Sequence, residues 1–432
     1  MLHRNIAAID ISEQSIKVLK LNAAREIVSY GSSQLETGIV ENGLIKNGEA
    51  FSAKLDEVLR STKPEVLRPA QRSLQCILSL PESQLFLHYL ELPDSIKNDA
   101  IEEYVKKEAA GVIPFALGEM YSTYHIARID DIQHVTFVAT PKDVVHNYVK
   151  VLTEANLRPA AIGGGFFSLG RALMPNDIGE DNYIIIDIGA HATNIGVFDV
   201  DAVANFTASV PVGGTHLTAK VAERLTLSLD EAERIKKERG MMPSDTGDGL
   251  ADALTEGLSD AVQEIKRVKT YYEEKTERKI TKAILAGGSA LLPGIGAHIA
   301  SQIGIEVRIG EPFLKLKEYS AFPSDTPPIF FAGVIGLALR GLDDTLPGVD
   351  LLTEYRRDRD DGGKESIPLR DIRSLGEALY VVRGMLGKTK EKTSKVIHRL
   401  HLDVRVNVKL LLSTLFALSM LGVLIVVIIM YT

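Results

Sequence analysis

Cysteine is almost absent from this 432-residue chain: Cys76 stands alone. That excludes a disulfide framework and a cysteine-based metal site, and it suits a reducing compartment. The 10 histidines show no ligand spacing, so no metal other than Mg²⁺ is expected. Positive charge is in short supply too. With 49 Lys and Arg against 57 Asp and Glu, the net charge is −8, which gives no electrostatic case for nucleic acid as a partner. The opening Met1-Leu2-His3-Arg4 lacks the apolar stretch of a signal peptide, so the body is expected on the cytoplasmic side.

What is present is ordinary globular material, 45% apolar and 25% charged, in a length that suits two or three domains. The tail differs. Arg383 to Lys409 holds eight basic and two acidic residues, and the 22 residues from Leu410 to Tyr431 carry no charge. As a helix this run spans roughly 33 Å, enough for a hydrocarbon core. A buried core helix would hardly end a chain, and an interfacial one would show a polar face. A transmembrane helix over 409–431 is therefore expected, with the basic flank placing the preceding body in the cytoplasm. Only Thr432 follows, so the chain is either tail-anchored or stops where a longer protein continues.

Along the chain, Asn5 to Leu21 reads as a β-hairpin, followed by a strand at Ala24 to Glu36, a helix at Gly48 to Ser61 and a strand at Gln75 to Leu80. From Ser83 to about Ala160 three strands and two helices (Ser95 to Ala110 and Pro141 to Asn156) form an inserted α+β unit. A second strand-rich region opens at Asn182. Its helices are expected at Gly214 to Leu225, Ser228 to Arg239 and Gly249 to Tyr272, the last with a core stripe of Leu250, Leu254, Leu258, Val262, Ile265 and Val268. A strand at Ile280 to Ala286 and helices at Pro293 to Ile303 and Pro327 to Leu339 follow. Asp343 to Pro368 is polar and reads as a flexible linker, and Asp371 to Lys395 as a short amphipathic helix.

The chemistry lies in an internal echo. Ala8-Ile9-Asp10-Ile11-Ser12 and Ile185-Ile186-Asp187-Ile188-Gly189 are each an apolar strand ending in Asp, then a small-residue turn and a second apolar strand. Alone, either is better explained as an Asp capping a turn. As a pair, two opposed hairpins can clamp a triphosphate, because small turn residues let backbone N–H groups approach phosphate oxygens. Asp10 and Asp187 would hold Mg²⁺, largely through waters. Asp10, Ser12, Ser15 and Lys17 serve one side, and Asp187, Gly189, Ala190 and Thr193 the other. Gly287, Gly288 and Ser289 sit between a buried strand and a helix, where a nucleoside can press against backbone, and Gly213 and Gly214 open another helix. Either glycine pair alone is as well explained as a helix start.

In this order the elements resemble the actin-like ATPase superfamily, in its FtsA/PilM branch. Glu103 to Phe115 with its Val112-Ile113-Pro114-Phe115 ending, Ala139 to Val145, Leu227 to Lys236, and Gly333 to Arg340 are similar to the type IV pilus assembly (PilM) members. The resemblance covers roughly residues 1 to 342. It implies an α/β actin-like fold: a first ribonuclease-H-like subdomain (1–82 and 161–181), an inserted subdomain (83–160), and a second half with a small subdomain (182–342). A cytoplasmic linker (343–408) and the membrane helix complete the plan. It also places Glu233 and Lys236 at the ribose and adenine contacts, and implies ATP and Mg²⁺ as cofactors. The chain departs from the family at Ser12, where Gly is usual, and at Gly163-Gly164-Gly165, where acidic residues are common. The missing carboxylate argues for nucleotide binding over rapid hydrolysis. Gly348 to Glu354 is similar to the peptide by which a PilN-like inner-membrane partner docks, so Val349, Leu351 and Leu352 are expected to dock in cis on the inserted subdomain, the alternative being an incidental apolar trio in the linker. The implied role is an ATP-binding scaffold of a pilus or type II secretion-like platform at the inner membrane, with nucleotide state tuning contacts to other platform proteins and to itself. The rivals are an FtsA-like filament former and a small-molecule kinase.

Overall fold

The computed structural model describes residues 6–360, except 68–73, 114, 130–131, 177–180, 200–202, 243–246, 248, 321, 324–325 and 344. All of these lie in the first of two compact units, residues 1–376. The basic stretch 383–409, the expected amphipathic helix 371–395 and the expected membrane span 409–431 lie outside the described residues. Among the described residues no helix is long and apolar enough to cross a membrane.

Strands β1 (Ile6–Ile11), β2 (Ser15–Leu21) and β3 (Ile27–Gln34) form an antiparallel meander. A short ribbon, β4 (Val40–Glu41) and β5 (Leu44–Ile45), leads to α1 (Gly48–Ser61), whose start is capped by Asn47 accepting from the Ala50 N–H. Beyond β6 (Lys63–Pro64), β7 (Leu74–Leu80) runs parallel to β1. The insertion follows: β8 (Phe86–Leu92), α2 (Ile101–Ala110), β9 (Met120–Ile129), β10 (Ile132–Pro141) and α3 (Lys142–Glu154). Helix α2 begins later than expected, because Ser95 lies in a turn and Asn98–Ala100 form a 3₁₀ turn. The chain then returns as β11 (Leu157–Gly164), parallel to β7, and α4 (Gly165–Leu173).

The second half repeats the plan. Strands β12 (Tyr183–Ile188), β13 (Thr193–Phe198) and β14 (Ala204–Val210) form a meander. Helices α5 (Gly214–Leu225), α6 (Leu229–Arg239) and α7 (Leu250–Thr276) precede β15 (Lys282–Ala286), which is parallel to β12. Then come α8 (Ile295–Ile303), β16 (Glu306–Ile309), α9 (Ala332–Leu342) and α10 (Leu352–Asp360). Read from the meander outward, the two large sheets run β3-β2-β1-β7-β11 and β14-β13-β12-β15-β16, with β6 added to the first. The order is the same in both. The insertion forms its own sheet, β8-β10-β9.

Alternation along the central strands builds the layers, since successive strand side chains point to opposite faces. Ala7, Ile9 and Ile11 pack with α1 and α3 residues, whereas Ile6 and Ala8 face the opposite layer. In β12, Ile184, Ile186 and Ile188 face α5 and α7, and Tyr183 and Ile185 face the layer that Ile6 and Ala8 also face. That shared middle layer is α4 and α9. They cross so closely that a Cβ on Gly336 would lie 1.8 Å from the Ser168 carbonyl oxygen, and the buried Arg171 donates to the Gly336 carbonyl at 2.9 Å.

The linker expectation is corrected over its first part. Residues 345–360 lie against the body, and Val349, Leu351 and Leu352 are 6%, 0% and 2% exposed within the core that contains Val144, Val145 and Ile162. The Leu351 N–H donates to the Ile162 carbonyl at 2.9 Å, and Asp350 Oδ1 accepts from Ile162 at 3.1 Å and Leu352 at 3.0 Å. The segment thus satisfies backbone groups on the outer edge of β11, where a sheet would otherwise offer an unpaired ladder. Glu354 accepts from the Ser122 N–H and Lys106, Lys142 pairs with Asp358 at 2.6 Å, and Tyr355 packs edge-on to Tyr121 and His146. Val349, Leu351 and Leu352 are the residues expected to dock in cis, and they lie buried against α3 and β11.

Gly336→Ala should destabilise the chain by about 3 kcal/mol, because no side-chain rotation relieves a clash with backbone. Urea denaturation of the purified variant measures this, and an unchanged midpoint would contradict the packing described for α4 and α9.

Candidate functional site

The repeated hairpins place Asp10 and Asp187 at matching positions. Asp10 pairs across its hairpin with Lys17, and Asp187 with Asn194. Each turn is closed by the same backbone bond at 2.9 Å: Ser12 N–H to the Ser15 carbonyl in the first, and Gly189 N–H to the Ala192 carbonyl in the second. In the first turn the hydroxyl of Ser12 also accepts from Ser15 N–H at 3.0 Å and lies 3.1 Å from the Ser15 hydroxyl. Ser12 therefore tightens the loop with its side chain, by the local side chain–backbone bonding typical of serine turns.

The turns meet. Gln14 and His191, exposed and 177 residues apart, touch at 3.2 Å between Nε2 atoms. The offset is the one that relates Asp10 to Asp187, so the contact joins equivalent turn residues of the two halves. Behind it, Lys17 Nζ lies 3.4 Å from Asp10 Oδ2. A Cβ on Gly333, in the first turn of α9, would be 3.4 Å from the Asp10 carboxyl atoms, which brings a helix N-terminus, favourable to anions, beside that carboxylate. Burial, then the charge of Asp10, pushes the Asp187 carboxyl up to about 6, against a hydrogen bond from Asn194 and the charge of Lys17. A carboxylate whose charge raises a neighbouring carboxyl forms a like-charge pair with it.

The second turn rests on the start of α5. The N–H groups of Gly214 and Thr215 donate to the carbonyls of Gly189 and Ala190, both at 2.9 Å. A Cβ on Gly213 would come within 2.6 Å of Ala190 backbone atoms, so only glycine fits there. Gly287, at φ +80°, is as constrained: a Cβ would lie 2.5 Å from Asp187 Oδ1. The adenosine-side candidates converge on Gly214, where a Cβ would be 3.0 Å from Ser289 Oγ and 3.6 Å from Lys236 Nζ. Gly288 remains exposed, against the ring of Phe330.

Three candidates are occupied within the protein. The fully buried Thr193 hydroxyl donates to the Val212 carbonyl at 2.6 Å. Lys236, 3% exposed, holds the Gly214 carbonyl at 2.8 Å, Thr218 Oγ1 at 2.7 Å and Glu233 at 2.6 Å. Burial pushes the Glu233 carboxyl up, but bonds from Lys236, Thr218 and Lys237 together hold it down at about 2. This cluster fixes the Gly213–Gly214 turn in place. Of the glycine run that departs from the expected pattern, Gly165 starts α4, and the buried Glu82 accepts from the Phe166 N–H at 2.8 Å. A carboxylate thus reaches that helix start from the end of β7.

Gly333, Asn194 and the Gln14–His191 contact escaped the sequence analysis. The 177-residue offset that pairs Asp10 with Asp187 also pairs Lys17 with Asn194 and Gln14 with His191, so the signal was available. Gly333 gave none, because nothing in its local sequence points to Asp10. Among the described residues no cluster of three or more His, Cys, Asp or Glu could hold a metal by itself.

A profile of the family described as type IV pilus assembly protein PilM matches residues 8–342. The cell division protein FtsA of Neisseria meningitidis is 23% identical over 340 residues, 71% of this chain and 74% of its own length. FtsA of Bacillus subtilis is 25% identical over 198 residues, 41% and 44% of the respective chains. Among solved structures, a PilM–PilN type IV pilus biogenesis complex aligns with a TM-score of 0.65 at 18% identity, over 79% of this chain and 100% of the other. The fold is accordingly the mixed α/β fold of the actin-like ATPases.

Because the Asp187 pKa is raised in the folded state, its contribution to stability is present at low pH and lost as pH rises through about 6. Asp187→Asn should therefore stabilise the ligand-free protein above pH 6 relative to the parent, by about 1 to 3 kcal/mol, with no gain at pH 4. Thermal melts of both proteins across pH 4–8 check this, and an equal difference at all pH values would contradict it.

Proposed function

This chain belongs to the type IV pilus assembly protein PilM family, and from that premise we propose that it is an ATP-binding scaffold on the cytoplasmic face of an inner-membrane pilus platform. The observation that carries the nucleotide reading is the meeting of two equivalent turns, closed by the same bond, each behind an Asp at the same register position. The donor set fits Mg²⁺, a hard cation that prefers carboxylate, water and phosphate oxygens. Asp10 and Asp187 would hold it, and its charge would relieve the repulsion that raises Asp187. Bound there, the ion would neutralise phosphate charge. The two turns and the α9 start beside Asp10 would position the polyphosphate, with Gly287, Gly288 and Ser289 beside the nucleoside.

The membrane side of this reading rests on the uncharged run 409–431 and its basic flank. A PilN-like partner is supported by the similarity to a PilM chain solved with PilN. The seated segment 348–354 supports a counterpart of that partner's peptide fused in cis, its anchors being Val349, Leu351 and Leu352. Nucleotide state would then alter the angle between the two halves and, with it, the grip on partners.

The full chain should resist carbonate extraction from membranes and, in detergent, bind ATP in a Mg²⁺-dependent way. Asp10→Ala should weaken ATP binding tenfold or more, a loss of about 1.4 kcal/mol per factor of ten, and abolish the Mg²⁺ dependence. Titration calorimetry on both proteins decides the nucleotide reading: equal affinity and equal Mg²⁺ dependence would overturn it.

A further inference from the structure

The three-stranded inserted sheet touches the second half along one edge and the seated segment along the other. At the first edge, Tyr89 of β8 packs against Phe206 of β14, ring centroids 5.2 Å apart. Beside it Thr136 of β10, 3% exposed, donates to Asn205 Oδ1 of β14 at 3.0 Å, and Asn205, 4% exposed, donates to Asp199 at 2.5 Å. At the other edge, Ser122 of β9 gives its backbone N–H and its hydroxyl to Glu354.

Strand β14 also reaches the phosphate-side carboxylate. Ser209 lies opposite Asn194 and donates to its Oδ1 at 2.8 Å. With the oxygen so engaged, the Asn194 amide nitrogen is left to donate to Asp187, the residue opposite it in the hairpin. The Thr136–Asn205–Asp199 bonds are buried and costly to leave unmade, and the part-buried Ser209–Asn194 bond orients the amide it holds.

We propose that Asn194 is a positioning residue for Asp187, and that the run Asp187–Asn194–Ser209, along β14 to Asn205–Thr136, and across the inserted sheet to Ser122–Glu354 couples the candidate Mg²⁺ site to the seated segment. This rests on the nucleotide reading above and adds to it a defined route. A cation on Asp187 changes what Asn194 must hold. Strand β14 carries the change from Ser209 to Asn205, where its register against β13 shifts, and the inserted sheet delivers it to the segment. Coupling is reciprocal, so the seated segment must in turn bias Mg²⁺ and ATP binding by the same factor. The Mg²⁺-side part follows the general behaviour of groups that orient metal-holding carboxylates.

The test uses the full chain in detergent, with hydrogen exchange read on peptides covering 349–358, with and without Mg²⁺ and ATP. In the parent protein, Mg²⁺ with ATP should change exchange there by about fivefold or more. Thr136→Val should bind ATP yet reduce that change to less than about twofold, and Ser209→Ala should reduce it likewise while shifting the Mg²⁺ requirement in the same direction as loss of the Asn194 side chain. Asn194→Ala should raise the Mg²⁺ concentration for half-maximal ATP binding about tenfold. A purely structural role would lower melting temperature and leave that concentration where it was. If the parent binds ATP and the segment does not respond, or if both strand variants keep the full response, the route is wrong. If the parent fails to bind ATP at all, the nucleotide reading falls and the route with it.

Discussion

Asp10 and Asp187 are carried to one place by two sheets of identical strand order, and the approach of those sheets is set by the helices between them. The middle layer of α4 and α9 packs against Ile6 and Ala8 on one side and Tyr183 and Ile185 on the other. Within it, α4 and α9 meet backbone to backbone at Gly336 and Ser168. Across this layer the turns that end β1 and β12 meet. The tip contact of Gln14 and His191, the charge felt between the two carboxyls and the place of Gly333 beside Asp10 all follow.

This arrangement stores an electrostatic cost. A half-buried carboxylate near a second one is unfavourable in the absence of a cation, and here the protein offsets it only in part, through Lys17 and Asn194. Functional sites often keep such unfavourable groups where packing alone would remove them. The second turn, by contrast, is fully supported. Gly213, Gly214, Lys236 and Glu233 use their bonding to hold it still, so its shape does not depend on a ligand.

Much of the fold was legible because duplication leaves a period-independent trace: two apolar strands, each ending in Asp, at a constant offset. Helices α1 and α5 begin and end where their pattern and flanking residues put them. What stayed hidden depends on contacts between distant segments. Thr193 read as a ligand contact from its place in the hairpin and Lys236 from the resemblance alone; the bonds that both side chains make to backbone carbonyls depend on distant segments and could not be read in the sequence. The stretch after Asp343 read as linker because charged residues outnumber apolar ones there, with Val349, Leu351 and Leu352 as the residues expected to dock. Its seat depends on the nearby Arg340 and on Arg171 and the open edge of β11, both far away in sequence. Polarity counted along the chain cannot register an Asp350 that serves as a backbone surrogate.

The most direct test of the central claim is an experimental structure of the chain with Mg²⁺ and a non-hydrolysable ATP analogue. The account predicts the polyphosphate between turn 12–15 and turn 189–192, the cation within reach of Asp10 and Asp187, and Gln14 and His191 parted or turned onto phosphate. A nucleotide bound elsewhere, or one whose phosphates lie away from both carboxylates, would contradict it.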